Sequence, residues 1–316
     1  MEQYNILVTG CGGDIGQSIG KILSSSEICR NIVGCDIHLN HPGKFIFNSV
    51  DTLPKCSDPN YKNELRKLII KYKINLVIPA SEQELRLFTQ DSSFEQEFPI
   101  LAANRFSREV GFDKYKTIEF LKAHDLPHPQ TQLENQVDLD KLKYPFIIKG
   151  RTGAGGSEIA LINNSIDFKY YQNKIKNFVL QEYLVGDEYT CGIFRKNNCE
   201  VKSIILRRQL SGNNGGYTLY GEVVENVEID RLLVNISEKL NLRGSINVQL
   251  RLSADNIPYI FEINPRFSST VRFRHLIHFE DLVWAIKEYF NIEAKIDNEI
   301  KFGVKFYKGY NEYIDN

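Results

Sequence analysis

The most informative part of the sequence is a pair of segments, Ser245-Ile-Asn-Val-Gln-Leu-Arg-Leu252 and Tyr259-Ile-Phe-Glu-Ile-Asn264. Polar and apolar residues alternate along the first segment, which is the pattern of a half-buried β-strand. The second segment reads as another strand, and Asp255-Asn256 between them is a pair that tolerates tight turns. Together these features predict an antiparallel hairpin.

The register of this hairpin follows if the turn pair forms the loop tip. Gln249 then lies opposite Glu262, and Asn247 lies opposite Asn264. The period of two along a strand places all four side chains on one face. Their oxygens suit Mg²⁺, so a bound cation would explain the grouping. A solvated polar face on an edge hairpin is the other interpretation, and the hairpin alone leaves both open.

The first part of the chain alternates short apolar segments with helical patterns. Helical patterns run to residue 23 and over 61–72 and 82–89, and the predicted strands cover residues 4–9, 32–36, 75–79 and 99–102. Strands that alternate with helices indicate a parallel, doubly wound α/β sheet.

A glycine-rich segment, Thr9-Gly10-Cys11-Gly12-Gly13-Asp14-Ile15-Gly16, joins the first strand to the first helix, and Asp36 ends the next strand. Dinucleotides bind in this context. Tyr170 and Lys174 also form the Y-x-x-x-K of the short-chain dehydrogenases, with Ser157 upstream. An NAD(P)-dependent oxidoreductase is therefore one hypothesis, but it leaves the polar face of the hairpin unexplained.

The pattern after residue 112 is mixed and favours an α+β arrangement with antiparallel sheets. A helix is predicted at 113–123 and a strand at 145–149, followed by a glycine loop at 150–157. Further strands are predicted near 158–162, 178–183, 187–195 and 200–208.

Four motifs follow one another in this second part. They are Asp113-Lys114 with Leu126-Pro127-His128-Pro129 further on, Tyr144-Pro145-Phe146-Ile147-Ile148-Lys149 before the glycine loop, Gln181-Glu182-Tyr183-Leu184 with Glu188, and Asn247-Val248-Gln249 with Glu262-Ile263-Asn264-Pro265-Arg266. In this order they resemble the motifs of the ATP-grasp ligases, most closely those similar to carbamoyl-phosphate synthase. Asp125 stands where that family has a glycine.

The resemblance covers residues 1–290 and implies a domain organisation. The glycine-rich first part resembles the Rossmann-like pre-ATP-grasp domain of the family and would occupy residues 1–112. A two-lobed ATP-grasp domain with antiparallel sheets would occupy residues 113–316. Within it, residues 113–183 would cover the nucleotide and residues 184–316 would carry the metal and the substrate.

The resemblance also assigns a nucleotide site. Lysine side chains would meet the phosphates as point charges, and the glycine loop would fold over the triphosphate, where backbone amides can approach closely. Backbone groups of residues 182–184 would meet adenine, and a glutamate would take the ribose. The residues are Lys114, Lys149, Gly153, Gly155, Gly156, Ser157, Glu182, Tyr183, Leu184 and Glu188.

By the same resemblance, Glu262 and Asn264 would hold Mg²⁺, with Gln249 at a second metal position. Two ions are expected, with Mn²⁺ as a substitute. Mg²⁺ would bridge the phosphates and neutralise charge during phosphoryl transfer.

The expected catalytic residues are Lys149 and several arginines. Arg266 would stabilise the transferring phosphoryl group or the acyl phosphate. The family places a further arginine where Ser269 stands here, so Arg272 or Arg274 would substitute for it or bind the acid substrate. Arg207 and Arg208 are candidates for a carboxylate clamp.

The implied activity is an ATP-dependent carboxylate–amine ligation through an acyl phosphate, with release of ADP and phosphate. No covalent nucleophile is needed, so positioning and electrostatics would carry the catalysis. An ATP-grasp kinase-like enzyme, a carboxylate–thiol ligase and a catalytically silent nucleotide-binding scaffold are the alternatives.

Composition limits the partners. Lys and Arg number 39 against 40 for Asp and Glu, so the basic excess of a nucleic-acid binder is missing. No segment reaches the roughly 18 apolar residues of a membrane span, and we expect no signal peptide. The six cysteines form no C-x-x-C pair, which favours free thiols in a reducing cytosol. We therefore expect a cytoplasmic protein with small-molecule carboxylate and amine substrates. We expect no nucleic-acid or membrane partner. Whether the protein forms a homodimer is left open by the sequence.

Overall fold

A computed structural model describes residues 2–141, 143–153, 158–211, 218–297, 299–309 and 311–315. The described residues form three sheets, which follow one another along the chain. This agrees with the predicted combination of an N-terminal α/β unit and an α+β remainder with antiparallel sheets.

The first sheet is parallel, with the strand order β3-β2-β1-β4. Apolar side chains of the inner strands β1 and β4 pack against helices on both faces, as is usual in parallel sheets. The elements of this unit are β1 (Tyr4–Thr9), α1 (Asp14–Leu23), β2 (Cys29–Asp36), β3 (Ser49–Thr52), α2 (Tyr61–Tyr72), β4 (Leu76–Pro79), α3 (Glu82–Gln90), α4 (Ser93–Glu97) and α5 (Arg105–Gly111).

Two details of this sheet differ from the sequence-based expectation. The segment 99–102 is not a regular strand, because its pairing is limited to one parallel bridge between Ile100 and Val77. Pro99 has no backbone N–H, so it cannot extend the ladder as a donor. The edge strand β3 was not predicted, since its four residues, Ser-Val-Asp-Thr, carry no clear apolar alternation.

The second sheet is antiparallel, with the order β5-β8-β6-β7. The helix α7 packs its buried Phe168 onto β6 and β7. The elements of this unit are α6 (Lys114–Ala123), β5 (Thr131–Leu133), β6 (Phe146–Gly150), β7 (Ile159–Ile162), α7 (Ser165–Lys174) and β8 (Phe178–Glu182).

The third sheet is also antiparallel, with the order β13-β12-β9-β10-β11-β14. Apolar side chains of α8 cover one face, and α9 and α10 pack at one end of the other face. The elements are β9 (Glu188–Arg195), β10 (Val201–Leu210), β11 (Thr218–Val223), α8 (Val227–Lys239), β12 (Gly244–Leu252), β13 (Pro258–Asn264), α9 (Val271–Leu276), α10 (Asp281–Tyr289) and β14 (Lys305–Tyr307).

The predicted register of the β12–β13 hairpin is confirmed. Asn247 pairs with Asn264 and Gln249 pairs with Glu262. Beyond Gln249 the register shifts by one residue, so that Phe261 stands in a β-bulge without a partner in the ladder. The residue in a bulge is left free of ladder pairing, and its carbonyl is available to other elements.

Two fully buried residues, Arg274 and Asp281, join α9 to α10. Arg274 Nη1 lies 3.4 Å from Asp281 Oδ2, and neither side chain has any exposed surface. Ser245 Oγ donates to the same carboxylate at 2.6 Å, and Arg274 Nη2 donates to Ser268 Oγ at 3.1 Å. The pair therefore connects β12, α10 and the segment that follows β13.

None of the described helices combines the length and the apolar character that crossing a membrane would require.

Removal of one member of the buried Arg274–Asp281 pair should lower the free energy of unfolding substantially. Asp281→Ala leaves the Arg274 charge buried without its counter-ion, and such losses amount to about 3–5 kcal/mol. The exposed pair of Glu228 with Arg231 on α8 is the matched control, and Glu228→Ala should cost less than about 1 kcal/mol. Urea unfolding measures both, and equal shifts of the two midpoints would contradict the assignment.

Candidate active site

A large cavity of about 1240 Å³ lies between the three sheets. Its walls come from the glycine-rich turn after β1, from β6 and β7, from the segment after β8, and from the polar face of the β12–β13 hairpin. Such a cavity exceeds the range of roughly 300–1,000 Å³ that is usual for one small ligand.

The cavity collects most of the candidate site residues. Those that line it are Lys114, Lys149, Gly153, Glu182, Tyr183, Leu184, Glu188, Gln249, Glu262, Asn264 and Arg266. The remaining three residues of the predicted nucleotide loop, Gly155, Gly156 and Ser157, lie outside the described residues.

Arg207 and Arg272 are absent from the described lining of the cavity. Arg207 lies on the opposite face of β10, where it pairs with Glu222 at 2.7 Å. Successive side chains of a strand point to opposite faces, so its neighbour Arg208 lines the cavity instead. Arg272 lies in the first turn of the short helix α9. Arg274 is fully buried in the ion pair described above.

Lys149 lies on β6 and is almost fully buried, with 4% of its surface exposed. Its Nζ donates to the carbonyl of Phe261 at 3.2 Å, the residue that the β-bulge leaves free. The pKa of Lys149 is lowered to about 7, chiefly by burial and in part by the nearby charge of Lys114, against the opposing charges of Glu262 and Glu188. An anion that enters beside this amine would favour its charged form.

Lys114 begins α6 and reaches the start of the glycine loop. Its Nζ donates to the carbonyl of Gly153 at 3.0 Å. Asp113 caps the helix by accepting from the N–H groups of Tyr115 and Lys116, and it pairs with Arg151 at 2.8 Å. The first turn of α6 is therefore fixed to the chain that follows β6.

Glu262 and Asn264 present oxygens to the cavity from one face of β13. Among the described residues, none donates a hydrogen bond to either side chain and none forms an ion pair with Glu262. A half-buried carboxylate beside a buried amide oxygen is a donor set that fits a hard cation such as Mg²⁺. Gln249 fits less well, because its Oε1 already accepts from Arg208 Nη2 at 3.0 Å.

Glu188, the candidate for the ribose, is held by two arginines. Arg208 donates to its Oε1 from Nη2 at 2.6 Å and from Nε at 3.1 Å. Arg251 donates to its Oε2 at 2.8 Å. Our sequence analysis did not identify Arg251. It follows Gln249 by two residues, so strand alternation is the signal that would have pointed to the cavity face.

Cys11, Asp36 and His41 place possible metal ligands within 4.8 Å of one another beside the glycine-rich turn. Their hydrogen bonds argue against a metal centre. Asp36 Oδ2 accepts from the N–H of Gly12 at 2.8 Å. His41 Nδ1 accepts from the N–H of Gly43 at 3.1 Å, so this nitrogen already has a partner. Burial raises the pKa of Cys11 to about 12, so the thiolate that a metal needs would form at a cost.

The arrangement also argues against the dehydrogenase hypothesis. Asp36, which would hold a ribose in that hypothesis, binds the turn itself. Tyr170 and Lys174 lie on α7, which packs on the second sheet, whereas the glycine-rich turn belongs to the first sheet. Neither residue occurs in the described lining of the cavity.

The comparison with known families agrees with the fold and with the motifs that line the cavity. Residues 112–270, half of the chain, match the family model described as an ATP-grasp domain. The chain therefore belongs to the ATP-grasp family.

Two curated relatives illustrate the likeness. A carbamoyl-phosphate synthase of Methanobrevibacter smithii is 22% identical over 229 residues, which cover 67% of this chain and 62% of the relative. A D-alanine–D-alanine ligase A of Bacillus cereus is 22% identical over 234 residues, 64% of this chain and 77% of that protein. The match thus spans less than two thirds of the length of the first relative.

A solved structure shows the same fold. The N5-carboxyaminoimidazole synthetase of Staphylococcus aureus in complex with ADP superposes with a TM-score of 0.75 at 19% identity, over 96% of this chain and 81% of that one.

The lowered pKa of Lys149 makes the stability of the protein depend on pH. The folded state carries the cost of a buried charge below about pH 7, and this cost fades as the pH rises towards about 10, the ordinary pKa of lysine. The advantage in melting temperature of Lys149→Met over the wild type should therefore be largest below pH 7 and shrink at higher pH. Lys122→Met, at an exposed position of α6, is the control. A difference in melting temperature between Lys149→Met and the wild type that stays constant with pH would contradict this prediction.

Proposed function

We propose that this protein is a Mg²⁺–ATP-dependent carboxylate–amine ligase that acts on a small or carrier-linked metabolite through an acyl phosphate and releases ADP and phosphate. The observation that carries the proposal is the hydrogen bond between Lys149 and the β12–β13 hairpin. The amine contacts the carbonyl of Phe261, next to Glu262, so a phosphate-binding cation and candidate metal ligands share one wall.

The proposal divides the chain as the sequence motifs do. Residues 1–112 would form the pre-ATP-grasp domain, and residues 113–316 would form the ATP-grasp domain. The nucleotide would then lie between the second sheet, which brings Lys149, and the third sheet, which brings Glu188 and Glu262.

For the nucleotide, Lys149 and Lys114 would neutralise phosphate charge, and backbone groups of residues 182–184 would meet the adenine. Glu188 would accept a hydrogen bond from the ribose. Bound Mg²⁺ would supply charge neutralisation at the β- and γ-phosphates. Glu262 and Asn264 would hold it, and Gln249 would reach a second ion after release from Arg208.

Arg266 would act where the second substrate meets the phosphate. It lines the same cavity, with its Nη1 bonded to the carbonyl of Phe267 and its Nε 3.8 Å from Glu82. A guanidinium in this place would orient a substrate carboxylate or stabilise an acyl phosphate.

The chemistry needs no nucleophilic side chain from the protein. A carboxylate oxygen of the substrate attacks the γ-phosphorus, the bond between γ-phosphorus and the bridging oxygen breaks, and ADP leaves. The amine then attacks the acyl carbon, loses a proton, and phosphate departs. The residues of the cavity hold the reactants in line and stabilise the charge that moves between them.

The proposed setting is the cytoplasm, with small-molecule carboxylates and amines as partners. All six cysteines are free thiols in the structure, which suits a reducing compartment.

Thermal stability measured with Mg²⁺–ADP, and in parallel with NADH, tests the nucleotide site first. A ligand at about 100 times its Kd adds roughly 2.7 kcal/mol. Mg²⁺–ADP should therefore raise the melting temperature by a few degrees, while NADH should leave it unchanged. A shift with NADH alone would reject the proposal. After a positive result, phosphate release is screened with pairs of acids and amines, and turnover without any amine would identify a kinase-like reaction instead.

Glu262→Ala tests the metal assignment in two ways: through nucleotide binding, which requires no knowledge of the substrates, and through phosphate release once a substrate pair is known. The variant should bind ADP like the wild type in EDTA, but Mg²⁺ should strengthen binding to the wild type alone, and phosphate release should be abolished. Glu293→Ala, at an exposed position, is the control. Retention of the wild-type response to Mg²⁺ by Glu262→Ala would remove Glu262 from the metal site.

A further inference from the structure

Arg251 connects two parts of the cavity wall that have different proposed roles, the segment that would contact adenine and the carboxylate that would contact the ribose. Its Nη1 donates to the carbonyl of Leu184 at 3.1 Å, and its Nη2 donates to Glu188 Oε2 at 2.8 Å. The guanidinium carbon also lies 5.5 Å from the centre of the Tyr183 ring. The planar fork of an arginine can make these contacts together, whereas the single charged nitrogen of a lysine cannot.

One partner of Arg251, Leu184, lies near the start of the segment that joins the second sheet to the third, and the other, Glu188, directly follows that segment. This segment, residues 183–187, leads from β8 to β9. Besides Arg251, the end of β12 holds it through a hydrogen bond from the N–H of Leu252 to the carbonyl of Asp187, at 3.2 Å. Gly186 has φ +143°, and a Cβ there would lie 1.9 Å from the carbonyl oxygen of Leu252. The segment is therefore pressed against the strand that carries Arg251.

The charges around Glu188 fix the orientation of its carboxylate. Two guanidinium groups occupy three acceptor positions, two on Oε1 and one on Oε2. A carboxylate has about four such positions, so one is left for a donor from a ligand. Glu188 can thus accept one further hydrogen bond without losing either arginine.

We propose that Arg251 is a positioning residue that holds the adenine-binding segment and the ribose-binding carboxylate at a fixed separation. This inference rests on the proposed function, because it takes residues 182–184 and Glu188 as the base and ribose contacts. Arg251 itself acts through Leu184 and Glu188. It therefore sets the affinity for the nucleoside part of the ligand and leaves the phosphate part, which the lysines hold, unaffected.

The test compares two ligands that share phosphates and differ in the nucleoside. Binding of Mg²⁺–ADP and of Mg²⁺–tripolyphosphate is measured by calorimetry on the full chain. Arg251→Met should weaken ADP binding by about 10- to 100-fold, as expected for the loss of hydrogen bonds that involve a charged group. Tripolyphosphate binding should change by less than about twofold, because its contacts lie at the lysines. Arg251→Lys should recover part of the loss.

Arg243→Met is the matched control. Arg243 stands just before the other end of β12 and also holds a loop, by donating to the carbonyl of Asn197 at 3.0 Å. It should leave the binding of both ligands unchanged. A double variant, Arg251→Met with Glu188→Gln, should lose less ADP affinity than the product of the two single losses, because both changes break one shared contact.

The outcomes separate this inference from the proposed function. Wild-type affinity of Arg251→Met for ADP would overturn the positioning role, and so would an equal loss for ADP and tripolyphosphate, which indicates a general structural defect. Failure of the wild type to bind ADP would overturn the proposed nucleotide site, and with it the role of Arg251.

Discussion

The register of the β12–β13 hairpin is the constraint on which the rest of the site depends. It places Asn247, Gln249, Glu262 and Asn264 on the face that borders the cavity, while Val248 and Leu250 are fully buried beneath α8. A slip by one residue would exchange these faces and bury the polar groups among the apolar side chains of α8. The bulge at Phe261 then provides a free carbonyl that Lys149 reaches from the second sheet. One strand pairing therefore aligns groups from two sheets.

The cationic side chains of the cavity have two kinds of partner, carboxylates and a carbonyl. This difference indicates where a bound anion would compensate a positive charge. Arg208 and Arg251 share the carboxylate of Glu188 at hydrogen-bond distance, so their charges are compensated within the protein. Lys149 donates to a carbonyl instead, and its burial lowers its pKa to about 7. Among these cavity cations, the lysine is thus the one whose charged form gains most from an incoming anion. Burial of this charge costs stability, and an anion bound beside the amine would offset that cost.

Sequence reasoning recovered the hairpin because two independent signals agreed, the alternation along β12 and the turn pair whose Asn256 has φ 58°. It could not foresee the bulge, since the residue involved is a phenylalanine rather than a glycine and carries no local signal. The two adjacent arginines of β10 show a second limit. Alternation predicts that Arg207 and Arg208 point to opposite faces, but the sequence does not indicate which face borders the cavity. That choice is made by the pairing of Arg208 with Glu188 on the neighbouring strand.

The glycine-rich turn after β1 shows why a local motif underdetermines function. In the dehydrogenase hypothesis, Gly12 would leave room for a pyrophosphate. In the structure that room is taken by His41, whose ring would lie 2.6 Å from a Cβ on Gly12. Asp36, the expected ribose ligand, binds the N–H of the same glycine. Thus His41, some thirty positions further along the chain, explains why position 12 is a glycine, and no nucleotide is needed for that explanation. The turn forms a wall of the cavity, and the cationic side chains of Lys149 and Lys114, which belong to other elements, line the same cavity.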